Sequence, residues 1–253
     1  MQTRGRMVLI TGGGSGIGLA LVERFYQAGN TVIICGRRSE RLQAAKAKFP
    51  KLVTKVCDVA DEPQRLALFA WVVNEFPSLD VLVNNAGMQQ RINLKQPNAA
   101  WSYYQQEIAA NLEAPIHLSL LFLPHLLQQE AGTIINVSSN LGVTPAAWAP
   151  IYSATKAAMH SFSMSLRLQM AETKVNIVEV LPPAVNTDLG GVGLHTFGVP
   201  VDDFADAVFT GLANGDKEIG YAGTERTIRA SRDEIDAGAA GMWQNFIKHN
   251  PGF

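Results

Sequence analysis

Tyr152 and Lys156 stand four residues apart in the run Ile151-Tyr152-Ser153-Ala154-Thr155-Lys156-Ala157-Ala158. On a helix that spacing puts a phenol and an ammonium on one face. A neighbouring ammonium favours phenolate, so the expectation is a Tyr152 pKa below the usual value of about 10. A phenol tuned this way gives and takes protons near neutral pH. The pair alone is common on helix surfaces, so its meaning depends on what else the chain carries.

A glycine-rich run, Thr11-Gly12-Gly13-Gly14-Ser15-Gly16-Ile17-Gly18, lies near the start. The apolar Met7-Val8-Leu9-Ile10 before it reads as a buried parallel strand, and Leu19 to Phe25 after it has helical spacing. Strand, glycine turn and helix together form the context for a dinucleotide phosphate site. The glycines allow a tight turn and let a pyrophosphate approach the helix N-terminus. A second strand, Thr31-Val32-Ile33-Ile34-Cys35, ends at Gly36-Arg37-Arg38. Sites that choose NAD place an acid there, on the ribose 2′-hydroxyl, whereas a guanidinium suits a 2′-phosphate. Gly36 and the two arginines therefore favour NADP, with NAD as the second option.

These groups need a sheet to hold them. Leu52 to Cys57 reads as a strand running into Asp58-Val59. Val81-Leu82-Val83 runs into Asn84-Asn85-Ala86-Gly87, and Thr133 to Val137 into Ser138-Ser139. Val175 to Val180 runs into Leu181-Pro182-Pro183, and Glu218 to Ala222 reads as a last strand. Strands alternating with helical stretches argue a single doubly wound α/β domain over 1–253, with about seven parallel strands and helices on both faces. The strand ends are where such sheets bind ligands.

The ordered set Thr11-Gly12-x-x-x-Gly16-x-Gly18, Asp58, Asn84-Asn85-Ala86-Gly87, Asn111, Ser139 and Tyr152-x-x-x-Lys156 resembles the short-chain dehydrogenase/reductase family over roughly residues 7–190. Within it the chain is most like the DltE-type oxidoreductases, through Asn30 to Arg37, Thr155 to Phe162 and Pro182 to Leu189. The resemblance implies a Rossmann fold and hydride transfer between a nicotinamide cofactor and a carbonyl or alcohol substrate. It makes Tyr152 the proton donor and gives Ser139 the carbonyl oxygen to stabilise. Lys156 would hold the nicotinamide ribose, and Asn111 would position a relay water. The cofactor would lie on Gly12, Gly14, Ser15, Gly16, Ile17 and Gly18, with Asp58 and Val59 at the adenine. Arg37 and Arg38 would meet the 2′-phosphate, and Asn85, Ala86 and Gly87 would line the ribose. Pro182, Val185 and Thr187 would sit near the nicotinamide amide or pyrophosphate. One departure is Pro183, where the family commonly has glycine, which stiffens that turn.

The chain has 253 residues, 47% hydrophobic and 17% charged, enough for a full core. Its net charge of −1 offers no basic surface for nucleic acid or membrane. The apolar stretch Pro115 to Leu127 is too short to span a bilayer. The first residues show no charged-then-apolar leader, so the expectation is cytoplasmic. Five histidines without ligand spacing argue no metal site, and Cys35 and Cys57 read as small apolar fillers.

Substrate contacts are expected from Asn140 to Pro150, from Met88-Gln89-Gln90-Arg91, and from Leu189 to Pro200, whose glycines suit a mobile lid. Apolar walls fit a bulky or aromatic carbonyl compound, while Arg91 would fit an acidic one; the residues leave that choice open. Thr224 to Lys248 reads as one helix, free to cover the cleft, pack on its own sheet or reach a partner. Apolar residues on more than one face of Trp101 to Leu127 and Ile151 to Met170 imply a homodimer or homotetramer. The alternative function is a non-catalytic dinucleotide-binding regulator, against which the intact serine, tyrosine and lysine all speak.

Overall fold

The computed structural model describes residues 1–253. Seven parallel strands form one sheet in the order β3-β2-β1-β4-β5-β6-β7. They are β1 (Met7–Thr11), β2 (Thr31–Gly36), β3 (Val53–Val56), β4 (Val81–Asn84), β5 (Thr133–Val137), β6 (Asn176–Leu181) and β7 (Glu218–Gly220). The strand order reverses between β1 and β4, and the crevice at their carboxyl ends is where such sheets take a ligand.

The central strands read as continuous apolar runs because both faces are covered. Val8, Ile10, Val32 and Ile34 face one core with α1 (Gly16–Gln27), α2 (Ser39–Lys48) and α7 (Val201–Asn214). Leu9, Ile33, Leu82 and Ile134 face the other with α3 (Glu62–Glu75), α5 (Ala114–Leu126) and α6 (Pro150–Gln169). Cys35 and Cys57 are free and buried in this second core.

Buried side-chain amides and hydroxyls bolt the second layer to the sheet. Asn84 on β4 donates to Asn136 Oδ1 on β5 at 2.9 Å and to Ser119 Oγ on α5 at 3.0 Å. Asn136 in turn donates to Ser163 Oγ on α6 at 3.0 Å. Each bond here satisfies a group that burial would otherwise penalise.

The sequence expectation of seven parallel strands holds, with ends that differ by a residue or two. Three segments depart further. Trp101 to Leu127 is not one helix: α4 (Trp101–Ile108) and α5 are joined by a π-helical turn, Ala109–Glu113, which carries Asn111. The expected helix 224–248 is two, α8 (Thr224–Thr227) and α9 (Arg232–His249). The break follows from Ser231 and Glu234, which form a capping box that starts α9 afresh. The 3-residue β7 is shorter than the expected Glu218 to Ala222, because Ala222 turns at φ 52° and Gly223 at φ 100°. No helix is long and apolar enough to cross a membrane.

Candidate active site

Ser139 ends the stretch that leaves β5 and caps the short 3₁₀ turn Asn140–Gly142, its Oγ accepting from Leu141 N at 3.1 Å. Tyr152 and Lys156 occupy the first two turns of α6 and are 6% and 4% exposed. Lys156 Nζ donates to the Val137 carbonyl at 2.8 Å and lies 5.6 Å from the centre of the Tyr152 ring. Two segments distant in sequence thus converge because α6 packs across the carboxyl end of β5.

Asn111 is held from three directions. Its Oδ1 accepts from Met88 N at 2.9 Å, and its Nδ2 donates to Met88 O at 2.9 Å and to Thr155 Oγ1 at 3.3 Å. A Cβ at Gly87 would come within 3.2 Å of Asn111 Oδ1 and 3.7 Å of Lys156 Nζ, so glycine keeps these two groups accessible to each other. The π turn supplies the extra residue that aims Asn111 inward, a common use of such bulges.

The glycine loop lies beside this cluster. Thr11 Oγ1 accepts from the Asn85 and Ala86 amides, both at 3.0 Å, tying β1 to the turn after β4. A Cβ on Gly18 would stand 2.4 Å from the Gly12 carbonyl, and one on Gly12 would stand 2.9 Å from Ala86 Cα. Only glycine permits this close stacking of loop, helix and neighbouring turn, and it leaves the first amides of α1 open to an anion. Arg38 donates to Ser15 Oγ at 3.1 Å, and Arg37 lies 3.7 Å from Asp58. Thr187 sits against the start of α1, where a Cβ on Gly16 would meet its methyl at 3.4 Å.

One cleft of about 1180 Å³ gathers these groups. It is lined by Gly12, Gly14, Ser15, Gly16, Ile17, Gly18, Arg37, Arg38, Asp58, Val59, Asn85, Ala86 and Gly87, and by Ser139, Tyr152, Lys156, Pro182, Val185 and Thr187. Asn111 stands behind the wall rather than in it. The glycine cradle and the exposed donors beside it fit a dinucleotide with an anionic centre.

Residues 6–192 match the short chain dehydrogenase family. This chain belongs to that family. The uncharacterized oxidoreductase DltE of Bacillus subtilis is 44% identical over 241 residues, covering 93% of this chain and 96% of its own length. The NADP-dependent 3-hydroxy acid dehydrogenase YdfG of Salmonella typhimurium is 33% identical over 180 residues, 71% of this chain and 72% of its own. Among solved structures, a short-chain dehydrogenase from Sphingobium yanoikuyae in complex with NADPH superposes with a TM-score of 0.80 at 26% identity, covering 92% of this chain and 95% of that one. The protein is therefore a short-chain dehydrogenase, an oxidoreductase.

Electrostatics in this short-chain dehydrogenase correct one expectation. The Tyr152 phenol is not lowered: burial pushes it up to about 12, against the Ser139 hydroxyl, which works the other way, and with help from the negative charge of Glu107. Burial also brings Lys156 down to about 8, opposed by Glu107 and Glu179. Desolvation is the largest contribution at each group and penalises both charged forms.

One residue of the site was not expected from the sequence. Glu107, fully buried on α4 one turn before Asn111, accepts from Gln90 N at 2.9 Å through Oε1, while Oε2 has no partner. Burial drives its carboxyl up to about 7, against the pull of the Gln90 amide and the Lys156 charge. Nothing in its local sequence marks it as buried. Of the options the sequence left for the C-terminal helix, α9 places Met242, Asn245, Phe246, His249 and Asn250 in the lining of the cleft, with Phe246 stacked on Trp148 at 4.8 Å. The helix thus covers the cleft while packing on its own chain.

Glu107 gives a testable pH dependence. Its folded pKa is raised above the unfolded value, so the stability it contributes is full below about pH 4.5 and is lost as pH rises through about 7. Glu107→Gln removes this titration, so its urea midpoint relative to the parent should improve between pH 5 and pH 8. A relative midpoint that stays constant across that range would contradict the assignment.

Proposed function

We infer that this short-chain dehydrogenase is an NADP-dependent reductase of carbonyl compounds, or in reverse an alcohol dehydrogenase, with Tyr152 as general acid and base. The observation that carries the reading is the meeting of Ser139, Tyr152 and Lys156 at the wall of the cleft that the glycine loop opens. A bound nicotinamide dinucleotide supplies or accepts the hydride. Ser139 Oγ and Tyr152 Oη would hold the substrate oxygen by hydrogen bonds that strengthen as negative charge develops on it. A phenol held near 12 stays protonated through neutral pH, so Tyr152 releases its proton only when that charge appears. Lys156 would orient the ribose and, through a water on Asn111, return a proton from the side of the wall away from substrate.

NADP is favoured because Arg37 and Arg38 are the groups at the end of β2, with no acid on that strand end. The relative named as NADP-dependent and the NADPH-bound neighbour agree with this choice. The loop from Asn186 to Gly198 leaves and rejoins the fold at one point, through the Val185–Val199 bridge, with Gly190, Gly191 and Gly193 at positive φ, as suits a substrate lid. Leu120, Leu127, Met164 and Leu168 remain exposed on α5 and α6, at 57%, 43%, 46% and 78%, which supports a two-fold pairing of these helices.

Three measurements test the reading. Tyr152→Phe should cut turnover by roughly 10²-fold or more while NADPH affinity stays close to the parent's. A variant that keeps most activity on a carbonyl compound the parent reduces would rule out Tyr152 as donor. NADPH should bind about tenfold tighter than NADH or better, and Arg37→Asp should narrow that margin; equal dissociation constants in the parent would end the NADP assignment. In sedimentation at micromolar protein the chain should run as a dimer or tetramer, and a single 27.4 kDa species would refute the pairing.

A further inference from the structure

The substrate end of the cleft is built around an arginine that nothing in the chain neutralises. Trp148 and Phe246 stack with ring centres 4.8 Å apart and planes 14° from parallel. The guanidinium carbon of Arg91 lies 5.6 Å from the centre of the Phe246 ring. At that distance the ring attracts the positive charge without engaging any of the guanidinium N–H donors, which stay free to bind. Arg91 forms neither an ion pair nor a side-chain hydrogen bond within the chain, and it lines the cleft.

The groups around it leave that positive charge unbalanced. His195, from the 186–198 loop, lines the same end and has a buried Nδ1 with no partner. Burial, and then the nearby Arg91 charge, hold its pKa below the usual imidazole value against a backbone contact with Leu189. Asp188 on that loop is exposed and makes no ion pair with Arg91. His249, on α9, has its Nδ1 bonded to the Asn245 carbonyl at 2.8 Å. The loop is seated on the Met88–Arg91 run, since a Cβ at Gly190 would come within 3.2 Å of the Gln89 carbonyl.

We propose that Arg91 is the anchor for a substrate carboxylate, and that this enzyme acts on carbonyl or hydroxy compounds that join an aromatic or bulky apolar body to a carboxylate. The proposal deepens the functional reading above and rests on it. The exposed Arg91 guanidinium carries a single positive charge, which suits a carboxylate better than a phosphate dianion. The planar fork donates to the carboxylate edge-on, half-buried Trp148 with Leu194 and Phe197 of the loop offers apolar surface to the body, and His195 with its proton on Nδ1 donates to the second oxygen. The two substrate types that the sequence left as alternatives, apolar and acidic, are thereby combined in one molecule.

The test uses a probe with nothing to reduce, so its outcome does not depend on hydride transfer. Binding of 3-phenylpropionate and of its neutral isostere 3-phenylpropionamide to the NADPH-saturated protein is measured by calorimetry, with NADPH titrated separately for each variant. The parent should bind the acid about tenfold tighter than the amide, roughly 1.4 kcal/mol. Arg91→Met should bring the ratio close to one. Equal affinities in the parent, a ratio that survives in Arg91→Met, or no binding of the acid at about 10 mM, which is weaker than roughly −2.7 kcal/mol, would each overturn the proposal. Failure of the functional reading is seen elsewhere, as absent NADPH binding or an active Tyr152→Phe enzyme.

Discussion

The seam between β1 and β4 is the constraint on which the rest of the structure depends. The two halves of the sheet run their crossovers in opposite directions from it, so no crossover helix closes the crevice at its carboxyl end. The Thr11 hydroxyl fixes that seam by accepting two successive amides from the turn after β4 while donating to the Val83 carbonyl at 3.2 Å. Asn85 reaches back to the Thr11 carbonyl at 2.8 Å. The glycine loop then has to pass within van der Waals contact of that turn, which is why Gly12 and Gly18 have no room for a side chain.

From the seam outward, positioning is done by polar groups buried in the second layer. The chain Ser119–Asn84–Asn136–Ser163 ties α5 and α6 to the sheet near Ser139, Tyr152 and Lys156. Because its members are hydrogen-bonded to one another, the network resists sliding of α6 along β5 in a way that an apolar contact would not. Tyr152 and Lys156 keep their placement relative to Ser139 through this register. Burial then sets their chemistry. Lys156 sits between two acids that are themselves fully buried, Glu107 and Glu179, and Glu179 is held by His160 at 2.8 Å. The site therefore balances desolvation against compensating charge, and desolvation wins at the phenol.

The substrate side follows a different logic. It is assembled from four segments far apart in the chain: the run after Gly87, the stretch 140–150 with Trp148, the loop after Thr187, and α9. Aromatic stacking among Trp148, Phe246 and Trp243 holds the outer wall, with Trp243 and Phe246 5.9 Å apart. Such contacts tolerate changes in side-chain identity more readily than the glycine loop does, so this is where specificity can vary on a constant catalytic frame.

By itself the sequence determined whatever depends on near neighbours in the chain. Four-residue spacing put Tyr152 and Lys156 on one helix face. Strand, glycine turn and helix defined the anion cradle. Alternating apolar runs set the parallel sheet. The apolar spacing across 224–248 hid the capping box at Ser231 and Glu234 that starts α9 afresh. Tertiary structure alone decided what depends on burial. An ammonium four residues from a phenol lowers its pKa in water, but the packing of α6 against the sheet removes the water, and the cost of burying a phenolate raises the pKa instead. Glu107 is an ordinary helix glutamate until the turn after β4 folds over it, and Phe246 is an ordinary apolar helix residue until Trp148 and Arg91 arrive against it. Local spacing fixes which groups travel together; only the folded chain fixes how much water each of them keeps.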